Sequence, residues 1–384
     1  MRILHTSDWH LGRPLHRVSL LDEQRAFLEH LLETVRHEQV DVVAVAGDVF
    51  DRAIPPLDAV DLFKWVLEEL ADLRVPLVMI SGNHDSPRRL GVNARLIERA
   101  GIHLRTSAHD CARPAVLKDE HGPVAFYGLP YLEPALVHES LGAERPSHQA
   151  VLSAAMDQVR ADLAGQSAGT RSVVLAHAFV TGADTSDSER DITAGGVPSV
   201  AASVFTGVDY VALGHLHRCQ EVTERIRYSG SPLAYSFSEA GHPKAMWLVD
   251  LGADSGITAR KLQCPVPRPL RQLTGALQAL LTSAEYAEYE QYWLHITLTD
   301  PDRPHMAMER LRQRFPHTLK LSYQEHHTGQ GESYRARVHG RTDHEITLGF
   351  LNHVTGIPAT RSEQDFLQEG LESVRTAAAA REVS

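Results

Sequence analysis

Val42-Val-Ala-Val-Ala-Gly-Asp-Val-Phe-Asp51 decides the fold. An uninterrupted apolar run is followed by a glycine and then by a carboxylate. A strand buried on both faces reads this way, and α/β sheets place their ligands beyond the carboxyl ends of such strands. The same grammar recurs on either side. Asp8 and His10 follow Ile3-Leu4, and Asn83-His84 follow Leu77 to Gly82. His177 ends Val173 to Ala176, and His215 with His217 ends Tyr210 to Gly214. Strands of one mostly parallel sheet would carry these distant side chains to a single spot. Asp, Asn and several His make a mixed oxygen and nitrogen set suited to a pair of divalent cations. Glycines ahead of Asp48, Asn83 and His215 are expected to turn the backbone so that the side chains reach the ions. The pattern is that of a two-metal phosphoesterase.

At 384 residues, with 43% apolar and 23% charged residues, the composition is that of a soluble globular protein of two or three domains. No apolar run approaches the roughly 20 residues of a membrane span. The amino terminus reads as the first strand and not as a signal peptide. Cys111, Cys219 and Cys264 are few, odd in number and form no CxxC pair, which points to a reducing, cytoplasmic setting. The net charge of −11 argues against gripping nucleic acid by bulk electrostatics. It leaves nucleic acid open as a substrate, because bound cations reverse the sign of a carboxylate-lined site. Arg13, Arg17, Arg88, Arg89 and Arg218 lie beside the motif loops. They are either a local positive rim for DNA or ordinary solvated charges.

Three segments emerge. Residues 1–265 alternate apolar runs with helical stripes, among them Leu20, Phe27, Leu31 and Val35, and a helix from Leu57 to Leu73 after Pro55-Pro56. From about residue 207 the runs shorten, suggesting antiparallel strands on the second half of the sheet. Cys264-Pro-Val-Pro-Arg-Pro269 reads as a stiff linker. Residues 270–340 alternate apolar and polar positions at 294–298, 319–323 and 334–338, with a helix near 304–315: a small α+β domain. Residues 341–384 read as two helices split by Gly356-Ile-Pro358, the second begun by a capping box of Ser362 and Asp365. The first is striped by Ile346, Phe350 and Val354. That hairpin either packs on its own protein or docks a partner.

Asp8-Trp-His10, Gly47-Asp48-Val-Phe-Asp51, Gly82-Asn83-His84-Asp85, His177 and Gly214-His215-Leu-His217 occur in fixed order, and together they resemble the calcineurin-like metallophosphoesterase superfamily. Met1 to Gly12, Ala46 to Asp51, Ser188-Glu-Arg-Asp-Ile192, Leu213 to Arg218 and Ser229-Gly-Ser-Pro232 are similar to the SbcD family of bacterial nuclease subunits. The resemblance implies an α/β fold: a layered metallophosphoesterase β-sandwich flanked by helices, with a small α+β capping domain and a helical partner-binding tail. It implies one metal on Asp8, His10 and His217, a second on Asn83, His177 and His215, and Asp48 bridging both. His84 would face the scissile phosphate, stabilising charge or protonating the leaving group. Asp51 would either pair with His84 and raise its pKa or simply close a turn as a surface carboxylate.

The activity implied is processing of DNA double-strand breaks and hairpins, as a 3'-5' exonuclease on duplex ends and an endonuclease on single strands and hairpins. The implied cofactors are two divalent ions, manganese by preference with magnesium as the alternative. The implied partners are an SbcC-type coiled-coil ATPase and a second copy of the chain. The sequence holds no GxxxxGK[ST] phosphate loop, so any ATP dependence would come from that partner. The alternative activity is a two-metal phosphoesterase acting on a phosphoprotein or cyclic nucleotide. A non-catalytic scaffold is a third reading, which the complete ligand set disfavours.

Overall fold

The computed structural model of this protein describes residues 1–189, 199–324, 341–355 and 357–382. The chain divides into two units, Met1–Tyr323 and Gln324–Ser384.

The apolar runs of the first unit form two six-stranded sheets, where the spacing alone suggested one. In the first sheet the order is Ile257–Gln263, Ala245–Leu251, Arg2–Thr6, Val42–Ala46, Leu77–Ile80 and Ile102–Arg105. Arg2–Thr6 and the strands after it in that order run parallel, while Ala245–Leu251 is antiparallel to both of its neighbours. In the second sheet the order is Gln220–Thr223, Ile226–Tyr228, Tyr210–Gly214, Arg171–His177, Gly122–Leu129 and Ala115–Asp119. Its outermost strand pairs, at either edge, are antiparallel hairpins.

Alternation along each strand explains the layering. From the first sheet Ile3, Val42, Ala44, Val78 and Ile80 point inward and meet Val124, Phe126, Val173, Leu175 and Ala212 of the second. The intervening positions Leu4, Val43, Val45, Leu77 and Met79 point outward, against the helices Leu21–His37 and Leu57–Asp72. On the far side Ala125, Tyr127, Val174, Ala176 and Val211 receive the helix His148–Gly165. Both faces of each sheet are thus covered, which is why the strands read as continuous apolar runs. Phe27, Leu28, Leu31, Leu32 and Val35 on the first helix are buried, each burial stabilising the fold by about 1.5–3 kcal/mol. The antiparallel strands expected after residue 207 are found in part: Gln220–Thr223 with Ile226–Tyr228, and Ala245–Leu251 with Ile257–Gln263, are antiparallel, whereas Tyr210–Gly214 is parallel to both neighbours.

A third, three-stranded parallel sheet follows: Leu270–Gly275, Trp293–Leu298 and Thr318–Tyr323, with the helix Ala307–Arg314 before the last. Leu270–Gly275 was hidden in sequence behind the proline-rich linker. The strand expected at 334–338 lies outside the described residues. Leu270 and Trp293 pack with Leu15, Leu20, Leu233, Tyr235 and Phe237, so this sheet rests on the loops of the larger sandwich.

In the second unit Asp343–Thr355 and Arg361–Glu382 are helices. The capping box at the second helix is formed by Thr360 and Glu363, not by Ser362 and Asp365. Glu363 Oε2 accepts the Thr360 amide at 2.7 Å, and the Glu363 amide donates back to Thr360 Oγ1 at 3.4 Å. Thr342 and Glu345 cap the first helix in the same way. Among the described residues no helix is long and apolar enough to cross a membrane.

Candidate metal centre

Asp8, His10, Asp48, Asn83, His177, His215 and His217 come from loops at the strand ends of both sheets, and the structure brings them into one pocket. Asp8 and His10 follow Arg2–Thr6, Asp48 follows Val42–Ala46, and Asn83 follows Leu77–Ile80. From the second sheet, His177 ends Arg171–His177, and His215 and His217 follow Tyr210–Gly214.

The two sheets are stitched together at this rim. The His215 amide donates to Asp8 Oδ1 at 3.1 Å, and His177 Nδ1 donates to the Ala46 carbonyl at 2.9 Å. Asn83 Oδ1 lies 2.9 Å from His177 Nε2 and 3.3 Å from His215 Nδ1. His10 Nε2 and His217 Nε2 face each other at 3.1 Å. Asp48 Oδ2 lies 3.6 Å from His10 Nε2 and 3.5 Å from His177 Nε2, so it reaches both sides of the pocket. Asp8, His10 and His217 each offer a ligand atom within 4.8 Å of the others, as do Asp8, Asp48 and His177, and also His10, Asp48 and His84. Carboxylate and imidazole donors at that spacing, with an amide oxygen beside them, fit a pair of divalent cations.

The backbone here is strained. Asp8, His10, Asp48 and His215 have φ of 52°, 45°, 48° and 104°, a region that side-chain-bearing residues seldom occupy. The glycines play a different part from the one expected. Of the three that precede candidate ligands, only Gly47 has a positive φ, at 91°. All three are sites of close approach: an added Cβ would lie 2.5 Å from His177 Nδ1 at Gly47, 2.1 Å from Asp48 Oδ1 at Gly82 and 2.0 Å from the Ala46 carbonyl at Gly214.

Burial and neighbouring charge set the protonation of the pocket. Burial works against a charge on His177, yet the Asp48 and Asp8 carboxylates outweigh it and lift that imidazole to about 9. Burial pushes the Asp8 carboxyl up to about 6 and drops His215 to about 3. It also holds His10 well below the usual histidine range.

His84 Nδ1 donates to the main-chain carbonyl of Asp51 at 2.7 Å, and its amide donates to Asp48 Oδ1 at 2.9 Å. Of the two readings of Asp51, the carboxylate–imidazole pair is not formed; the main-chain carbonyl takes the contact with His84 instead. The Asp51 carboxylate instead faces Arg13 Nε at 3.6 Å and His10 Nδ1 at 4.0 Å.

The basic residues divide. Arg13 donates to the Ser188 carbonyl at 2.8 Å and stacks over Tyr235 at 5.0 Å, so it is built into the scaffold. Arg17, Arg88, Arg89 and Arg218 are exposed, the last paired with Asp184. Arg88 lines a groove of about 1030 Å³ that starts at Asn83 and passes Tyr131 and Arg113. Arg89 lies instead on the apolar cleft beside Ile54 and Leu57.

Several supporting residues carried no role in the sequence reading. Asp85, within the Gly82-Asn-His-Asp85 motif, accepts the amides of Val49, Phe50 and Gly82 at 3.1, 2.9 and 2.9 Å and so ties two motif loops together. Burial, followed by the Asp48 charge, raises its carboxyl to about 7 despite those donors. Gln24 donates to the His10 carbonyl at 2.8 Å and accepts the Gly12 amide at 2.9 Å. It is a buried glutamine on a mostly apolar helical face, the one local sign it gives. Arg190, Asp191 and Ile192 of the Ser188–Ile192 stretch lie outside the described residues.

The family model for calcineurin-like phosphoesterases matches residues 1–219. A second, described as the type 5 capsule protein repressor C-terminal domain, matches residues 266–354. The D subunit of nuclease SbcCD from Staphylococcus saprophyticus subsp. saprophyticus is 30% identical over 381 residues, covering 96% of this chain and 97% of that protein. Among solved structures, a Thermus thermophilus protein is 14% identical with a TM-score of 0.39, covering 68% of this chain and 98% of its own. A dimetal phosphatase from Danio rerio is 15% identical with a TM-score of 0.39 and the same coverages of 68% and 98%.

Proposed function

Since this chain belongs to the calcineurin-like phosphoesterases, and among them to the SbcD nucleases, we propose that it trims DNA double-strand ends and opens hairpins. The chain is a metal-dependent phosphodiester hydrolase. The finer assignment is a 3'-5' exonuclease on duplex ends and an endonuclease on single strands and hairpins, with manganese as the working ion and magnesium as the alternative.

One observation carries this reading: seven donor side chains from two different sheets meet in a single pocket, four of them on backbone of positive φ. Asp8, His10 and His217 would hold one ion, Asn83, His177 and His215 the other, and Asp48 both. Two bound divalent ions polarise a phosphodiester, activate a water nucleophile and stabilise the leaving oxygen. The chain's own contribution is orientation and proton handling. His84 donates from Nδ1 to the Asp51 carbonyl, which leaves Nε2 as the nitrogen available to substrate. From there it would stabilise charge on the phosphate or protonate the leaving oxygen. The exposed Arg88 in the groove beside Asn83 supports a path for a phosphate backbone.

The partner would be an SbcC-type coiled-coil ATPase, docked on the terminal helices, where Phe350, Val354 and Phe366 are 57%, 65% and 76% exposed. A second copy of the chain would cover the cleft lined by Ile54, Leu57, Val60 and Val92, of which Leu57 is 80% exposed. The test is a nuclease assay with manganese on blunt duplex, hairpin DNA and a phosphopeptide, with and without the ATPase. Hydrolysis of the phosphopeptide alone would overturn the DNA assignment.

A further inference from the structure

Behind His217 lies a chain of buried polar groups outside the set of donor side chains. Ser188 Oγ is 2.6 Å from His217 Nδ1 and donates to Glu239 Oε1 at 2.5 Å. The other Glu239 oxygen is bound by Lys244 Nζ. Lys244 donates further to the His217 carbonyl at 3.0 Å and to Ser231 Oγ at 2.9 Å. Its three protons thus have three acceptors. Ser188, Glu239 and Lys244 are 6%, 1% and 3% exposed, so water does not compete for these bonds. Glu189 adds a clamp on the backbone, accepting the His217 amide at 2.9 Å.

The direction of these bonds follows from proton counting. The lysine holds Glu239 as a carboxylate, which accepts and cannot donate. The single Ser188 proton therefore points at Glu239, and the oxygen turns a lone pair to His217. Ser186 Oγ, 3.0 Å from Ser188, directs its own proton to Glu189 Oε2 at 2.9 Å. His217 must then carry its proton on Nδ1, which leaves the Nε2 lone pair facing His10 inside the pocket.

We propose that Ser188, Glu239 and Lys244 form a positioning relay that fixes the His217 ring in the tautomer and orientation needed to bind a divalent cation. The proposal rests on His217 being a metal ligand. Partners of this kind behind a ligating histidine raise its basicity and hold its angle, and their loss costs roughly 10- to 100-fold in metal affinity. Glu239 belongs to the turn Phe237–Glu239. Gln272 of the three-stranded sheet donates to the Phe237 carbonyl of that turn at 2.9 Å, so the relay is anchored where the small sheet meets the sandwich.

The test uses the full-length protein with histidine labelled by nitrogen-15, together with manganese titrations that resolve both binding steps. In the metal-free wild type the His217 signal should report a proton on Nδ1, and in Ser188→Ala, which leaves Nδ1 only the Glu239 carboxylate at 3.6 Å, that preference should weaken. Ser188→Ala should weaken one manganese step roughly 10- to 100-fold and leave the other in place, and Ser188→Thr should restore it. A general packing defect would weaken both steps and would not respond to the threonine hydroxyl. A proton on Nε2 in the wild type, an unchanged affinity in Ser188→Ala, or equal loss at both steps would overturn the relay. His217→Ala binding two manganese ions as tightly as the wild type would instead overturn the ligand assignment beneath it.

Discussion

With His177 and Asp8 as the proposed ligands, these two residues hold the protons that metal binding would displace. A cation takes neutral imidazole and ionised carboxylate, so His177 at about 9 and Asp8 at about 6 both oppose binding when pH falls. The sign is fixed: affinity for manganese should rise with pH across the window from about 6 to about 9. At pH 7 Asp8 is largely ionised while His177 is still charged, so binding should release about one proton. Calorimetric titration in buffers of different ionisation heat measures this directly, and no buffer dependence would contradict it. His84 makes a separate prediction. Its alanine variant should bind both ions and DNA but turn over roughly 10²- to 10⁴-fold more slowly, the usual share of a positioned proton donor. Cleavage at the wild-type rate would remove His84 from the chemistry.

Glycines govern how closely the strand-end loops approach one another. Gly214 ends its strand directly against the Ala46 carbonyl of the other sheet, where a Cβ would sit at 2.0 Å. Backbone cannot yield as a side-chain tip can. Gly214→Ala should therefore push the sheets apart at this rim, costing about 3 kcal/mol and weakening metal binding. Thermal unfolding and a manganese titration check both effects, and an unchanged melting temperature would show that the rim is more compliant than its geometry. The helix Leu21–His37 shows how elements support the centre at a distance. Its apolar stripe docks it on the sheet, and the one buried glutamine in that stripe then holds the Asp8–Gly12 loop.

At the scale of the whole molecule, most of the chemistry lies in Met1–Tyr323 and the proposed docking surface lies in Gln324–Ser384. Removing residues 341–384 should leave a folded, manganese-binding hydrolase that no longer co-purifies with the coiled-coil ATPase. Retained association would move the docking site elsewhere. Mass measurement by light scattering on the same protein, with and without Leu57→Asp, tests whether the apolar cleft joins two copies: the wild type should be a dimer and the variant a monomer.

What could be read locally was the order of strands and motifs. An apolar run closed by Gly47-Asp48 or Gly82-Asn83-His84 marks a buried strand and its carboxyl end, because period and burial are written residue by residue. The helical stripe of Phe27, Leu31 and Val35 was legible for the same reason. The capping box lies two residues earlier than expected, since Thr360 and Ser362 offer the same local signal. Only the tertiary structure decided that the loops bearing the candidate ligands come from two stacked sheets, with Asp8, Asp48 and Asn83 on one and His177, His215 and His217 on the other. It alone turned the Asp51 carbonyl, not its carboxylate, toward His84. It alone placed Lys244 and Glu239 behind His217. Such contacts depend on which remote surfaces meet, and hydrophobic periodicity says which face is buried but not what it is buried against.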